Sequence, residues 1–115
     1  MTSSTKYGAS QQRRRKFGNK PTGGFDSKKE MNRYYTLEMM QRAGEISDLQ
    51  TQVKFLFPLR SEANRQLHYV ADFTYTENGK RVVEDVKSVA TRKLAVFTYK
   101  VALMKHFHNI ELRIT

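Results

Sequence analysis

Two aspartates and a lysine are the residues of this chain whose types and spacing could do chemistry together. Asp72 lies in Tyr69-Val70-Ala71-Asp72-Phe73, too apolar a setting for a casual surface carboxylate. Thirteen residues later Asp85 appears in Val83-Glu84-Asp85-Val86-Lys87. Between them stands Glu77-Asn78-Gly79-Lys80, and Asn-Gly between two alternating runs is a strong hairpin signal. With Asn78 and Gly79 at the centre of the turn, Glu77 faces Lys80, Tyr75 faces Val82 and Asp72 faces Asp85, which sets the two carboxyl-bearing Cβ atoms roughly 4.5–5.5 Å apart. Opposed carboxylates repel unless a positive charge sits between them. A divalent cation serves, and Mg²⁺ takes one or two carboxylates while water and substrate phosphate complete its shell. Strand period two puts Lys87 on the face of Asp85 and sends Glu84 to the other, so Asp85 is the partner of Lys87. An ammonium there can neutralise the pair, orient or deprotonate water, or stabilise a phosphate in the transition state. The plainer reading is three solvated charges on an exposed sheet face.

The elements that must position these residues follow from the pattern. Ser27-Lys28-Lys29-Glu30 is a capping box, flanked by a Phe25–Met31 staple, and it opens a helix. Met31, Tyr34, Leu37 and Met40 or Gln41 recur at helical spacing, and Gly44 supplies the stop. Leu49, Thr51, Val53, Phe55 and Phe57 alternate with Gln50, Gln52 and Lys54, a half-buried strand ended by Pro58. Leu67, Tyr69, Ala71, Phe73 and Tyr75 then alternate with His68, Val70, Asp72 and Thr74, and residues 81–87 form the return strand. A second helix is predicted from about Thr91 to Phe107, with Leu94, Phe97, Val101 and Met104 on one face, and a last strand from Ile110 to Ile114.

Composition bounds the partner. The 115 residues suit one domain, and the 21 Lys and Arg against 11 Asp and Glu leave a formal charge of +10. So basic a small domain points to a polyanion, and DNA is the simplest one. Residues 1 to about 24 hold almost no apolar side chain, no acidic residue, and the run Arg13-Arg14-Arg15-Lys16. They read as a disordered basic arm for phosphate backbones, with residues 25–115 as the folded domain. Cysteine is absent, which excludes disulfides and thiolate metal sites. No apolar run is long enough for a membrane span and no secretory signal opens the chain, so an intracellular, cytoplasmic protein is expected. His106 and His108 lack neighbouring acids to make a metal site, and Asp48 reads as a turn residue. No Gly-rich phosphate loop and no Ser/His/Asp arrangement is present.

Val70-Ala71-Asp72-Phe73, followed at thirteen residues by Asp85-Val86-Lys87, resembles the signature of the PD-(D/E)xK nuclease superfamily, with Ala71 where the name has proline. The segments Phe25–Glu30, Gly44–Gln50, Tyr69–Phe73 and Val83–Lys87 resemble, in that order, a group of small phage and prophage proteins assigned to it. The resemblance covers about residues 25–115. It implies an α/β restriction-endonuclease-like core, running helix, three strands, helix, strand, with a mixed sheet and flanking helices. It implies Mg²⁺-dependent hydrolysis of DNA phosphodiesters, with Mn²⁺ as a substitute, and metal held by Asp72, Asp85, the Val86 carbonyl and Glu30. Glu30 has an equal claim to be only the third residue of its cap. A polar or basic residue of the second helix assists in the superfamily, which makes Lys93, Tyr99 and Lys100 candidates, the two lysines also as DNA contacts. Junction-selective phage relatives that work as dimers imply, by analogy, a homodimer inside a phage-infected or lysogenic bacterium. The reading from another class is a DNA-binding or recombination accessory protein on the same fold with little or no catalysis.

Overall fold

The computed structural model describes residues 27–115, so the basic run Arg13–Lys16 and the Phe25 half of the staple lie outside the described residues. The described residues fall into two units, one ending at Arg33 and one running from Tyr34 to Thr115. In the first, helix α1 (Lys28–Arg42) begins where expected: the Glu30 N–H donates to Ser27 Oγ at 3.0 Å, satisfying one orphan amide of the first turn. The helix runs on into the second unit and ends on Gly44 at φ 83°. The Gly44 N–H reaches back to Gln41 O at 3.0 Å and the Glu45 N–H to Met40 O at 2.9 Å, a Schellman closure that needs a residue tolerant of the left-handed region.

The second unit is built on a mixed four-stranded sheet of β1 (Ser47–Arg60), β2 (Gln66–Glu77), β3 (Lys80–Asp85) and β4 (Arg113–Ile114), in that spatial order. β1 to β3 are antiparallel, and β4 joins β3 in parallel. The hairpin register is the expected one, with Glu77 opposite Lys80 and Tyr75 opposite Val82. Asn78 and Gly79 both take positive φ, 53° and 77°, as a type I′ turn requires. β2 is central, and residues 71–75 are buried on both faces.

Four expectations are corrected. β1 does not stop at Pro58 but continues to Arg60. It is an edge strand, and the proline falls where the ladder is irregular, between Leu56↔His68 and Arg60↔Gln66, so its missing N–H costs no bond. The return strand stops at Asp85 rather than Lys87. The last strand is only Arg113–Ile114. The second helix is two pieces, α2 (Val89–Arg92) and α3 (Ala95–His108). Ser88 caps the first, its Oγ accepting the Thr91 N–H at 3.1 Å. Lys93 and Leu94 then bond back only three residues, and Leu94 turns extended at φ −70°, ψ 138°. No glycine or proline dictates this break. It lets α3 bury Phe97 and Met104 while Leu94 faces solvent.

The core lies between the sheet and α3: Phe55, Phe57, Tyr69, Ala71, Val83 and Met104 form one buried cluster, with Leu103 and Phe107 packed against it. His108 belongs to it too, tilted on Phe57 at 5.8 Å, edge-on to Phe55 at 5.5 Å and bonded to Leu56 O at 2.8 Å. Tyr34 of α1 stacks on Phe73 at 6.3 Å. Met104→Ala should therefore cost about 2–5 kcal/mol in denaturant unfolding, whereas Leu94→Ala should stay within about 0.5 kcal/mol. A large loss for Leu94→Ala would restore a single unbroken helix with Leu94 in the core.

Candidate active site

The β2–β3 ladder ends at Phe73↔Glu84, and the two aspartates meet one step beyond it. There the main chain stops pairing with itself. The Asp72 N–H donates to Asp85 Oδ1 at 3.0 Å, and the Val86 N–H donates to Asp72 Oδ2 at 2.9 Å. Each carboxylate thus takes an amide of the neighbouring segment. Asp72, Asp85 and Lys87 come together as the alternation predicts, but one partner departs from it. Tyr69, whose parity puts it across the sheet from Asp72 and Asp85, donates its hydroxyl to Asp85 Oδ2.

Lys87 completes the group. Its Nζ is 3.1 Å from Asp85 Oδ2, 4.0 Å from Asp72 Oδ2 and 3.5 Å from the Val86 carbonyl oxygen. Asp85 is 0% exposed and Asp72 7%, while the Lys87 side chain keeps 25%. The repulsion foreseen between the carboxylates is met by two amide dipoles, a phenol and an ammonium. The main chain of this segment is held from the far side by the last strand: Thr115 N–H donates to Asp85 O at 3.0 Å and Lys87 N–H to Thr115 O at 3.1 Å.

From α3, Phe97 and Lys100, three residues apart and hence on one row of the helix, reach the group. Lys87 Nζ sits 5.7 Å from the Phe97 ring centre and Lys100 Nζ 5.9 Å from that of Tyr69. Of the three second-helix candidates the structure brings Lys100 to the group. Lys93 caps α2 and is exposed, and Tyr99 points to solvent. Glu30 is buried in the first turn of α1 with its N–H on Ser27, and its place in a metal site rests on the resemblance alone.

Among the described residues, no three His, Asp or Glu side chains converge as a ready metal cage. The donors here are two carboxylates and one carbonyl, whose oxygens all face the Lys87 ammonium. Three hard oxygens about one positive charge suit Mg²⁺, which keeps several waters and needs few protein ligands. The residues present fit that ion, and fit a soft metal poorly.

A second buried group was missed from the sequence. Glu84, also 0% exposed, accepts from Tyr75 Oη at 2.6 Å and from Thr115 Oγ1 at 3.2 Å. Arg113 Nη1 donates to Tyr75 Oη at 3.0 Å, and Nη2 pairs with Glu77 at 3.1 Å. The hairpin register carried a signal for half of it, since Tyr75 and Glu84 are diagonal neighbours on one face. Nothing local foretold Arg113, Thr115 or Tyr69.

The chain belongs to the DUF1064 family, described as "Protein of unknown function", whose model matches residues 6–115. No curated protein and no solved structure matches it.

Burial pushes both buried tyrosines up. For Tyr69 the carboxylate of Asp85 adds to it, and for Tyr75 the bond to Glu84 does, bringing Tyr75 to about 12. A raised phenol pKa means that the folded state holds its proton more tightly. The stability Tyr75 contributes is full below its ordinary 10.0 and disappears as pH rises through about 12. The wild type should lose stability across that window, and Tyr75→Phe should flatten the loss. Equal alkaline slopes for both proteins, in urea melts at stepped pH, would contradict this account.

Proposed function

We propose that this chain is a Mg²⁺-dependent endodeoxyribonuclease with a restriction-endonuclease-like core, and that Asp72, Asp85 and Lys87 are its centre. One observation supports the reading above the rest. Two buried carboxylates and a backbone carbonyl all turn their oxygens to one charged, partly exposed lysine at the point where the sheet opens. A protein that needed only stability would do as well with apolar residues there.

In this reading Asp72, Asp85 and the Val86 carbonyl would hold the ion. When bound, it supplies charge neutralisation at phosphate and a lowered pKa for its water. The chain's own groups do the rest. The Asp72 N–H and the Tyr69 hydroxyl hold the Asp85 carboxylate in one orientation, which is the part outer-shell partners play for a metal ligand. Tyr69 is a donor because a phenol is protonated at neutral pH, and its burial beside Asp85 raises its pKa further. Lys87 orients the attacking water and stabilises negative charge on the phosphate oxygens. Water oxygen bonds to phosphorus and releases a proton to solvent, one ester P–O bond breaks, and the leaving oxygen takes up a proton from solvent. Lys93, Lys100 and the Arg13–Lys16 run bind backbone phosphates, which makes affinity fall with salt.

A second reading draws on the same contacts. Because Lys87 already neutralises the carboxylates, the group is also a sound structural ion-pair cluster, as in a DNA-binding accessory protein. Cleavage separates the two. Supercoiled plasmid and a four-way junction, incubated at low salt with Mg²⁺, Mn²⁺ or EDTA, should be cut only with metal. Asp85→Asn and Asp85→Ala should lower the rate at least about 100-fold and leave binding in EDTA within a few-fold. Lys87→Ala should cost a similar factor. Cutting by Lys87→Ala at the wild-type rate would remove Lys87 from the chemistry, and salt-sensitive binding without any cutting would favour the accessory protein.

A further inference from the structure

The segment that follows the centre has a composition of its own. From Val86 to Ile110 it contains Lys87, Arg92, Lys93, Lys100 and Lys105 and no acidic residue. Its inner side is used: Phe97 and Met104 are buried, and Lys100 lies over Tyr69. Its outer side is apolar. Leu94, Val96 and Tyr99 are 58, 65 and 67% exposed, and Val89 of α2 is 64% exposed. Val96 and Tyr99 are three apart, so their side chains share a row of α3, next to the row that carries Phe97 and Lys100 to the centre. A hydrophobic strip interleaved with cations therefore borders the phosphodiester site.

Charge chooses the occupant. A second copy of this chain would bring one formal charge of +10 against another. A polyanion is favoured, and the apolar strip says what kind. An intact duplex offers phosphates outside and hides its base faces in the stack, so lysines alone would serve it. Unpaired bases expose flat apolar faces beside phosphates, and exposed aromatic and aliphatic side chains among cations are the surface that takes them. We infer that Leu94, Val96 and Tyr99 form a platform for unstacked bases next to the centre, and that the substrate is DNA with unpaired nucleotides, such as a branch or bubble, rather than plain duplex. This rests on the nuclease reading for its substrate but not for its test.

The test is binding in EDTA, where no metal or cleavage enters. A fluorescent duplex and the same duplex with a central bubble of unpaired thymines are titrated with the full chain. Wild type should bind the bubble about tenfold more tightly, as expected for one or two stacked bases. The double variant Val96→Ser, Tyr99→Ser should lose that preference to within about twofold and hold its duplex affinity, because its lysines remain. Both sites are exposed, so the thermal midpoint should stay put; if it does not, Leu94→Ser gives the same reading. Equal binding of both DNAs by wild type overturns the inference, as does a variant that keeps the preference or loses both DNAs alike. So would a variant defect seen only on anionic phospholipid vesicles, or a loss of dimer in sedimentation. Metal-dependent plasmid cleavage without bubble preference would sink this inference and leave the nuclease reading standing. Bubble preference without cleavage would do the reverse.

Discussion

Two negative charges opposed inside a sheet are the constraint around which this molecule is arranged. Carboxylates opposed across neighbouring strands repel, and each disfavours the charged form of the other. Asp85 is fully buried, so water offers little relief. The chain meets the cost by ending the ladder one step early. The amides that would have continued it go to the carboxylates instead, and Lys87 and Tyr69 supply the remaining donors. The break in the hairpin and the assembly of the site are thus a single event. A regular ladder through residues 72 and 85 would leave the carboxylates without those amides.

An open ladder needs support from elsewhere, and the last strand gives it. β4 is two residues long, yet Thr115 bonds the main chain on both sides of Val86. Its side chain also reaches Glu84, which Tyr75 and, through Tyr75, Arg113 hold in place. Adjacent residues of β3 therefore anchor two buried polar groups. Glu84 is tied to the parallel strand, and Asp85 is tied to β2 and Lys87. Buried acids so fully partnered restrict the segment to one conformation, the condition for a site that must hold its donors in place.

The N-terminal end of α3 joins the other elements to this centre. Its break from α2 at Leu94 sets the helix so that Phe97 and Lys100 face Lys87 and Tyr69, while Val96 and Tyr99 face outward. One short helix thereby lines the charged group on one row and offers solvent an apolar row beside it.

Local chemistry made much of this legible in the residues. Ser27 and Gly44 bound the first helix because caps are short-range devices. Asn78-Gly79 dictated the hairpin and its register, and with them the meeting of Asp72, Asp85 and Lys87. The basic surplus likewise needs no fold to be read. What depended on distant segments was not legible. Pro58 continues a strand because that strand proved to be an edge, Leu94 leaves a helix that lacks any breaking residue, and Tyr69 crosses from its expected side to Asp85. The sequence by itself determined which acids would be brought together, since turn and register act within a few residues. Only the tertiary structure decided which further groups hold them beside Lys87, since the Tyr69 hydroxyl, the Thr115 main chain and the α3 side chains arrive from segments distant from Asp85 along the chain.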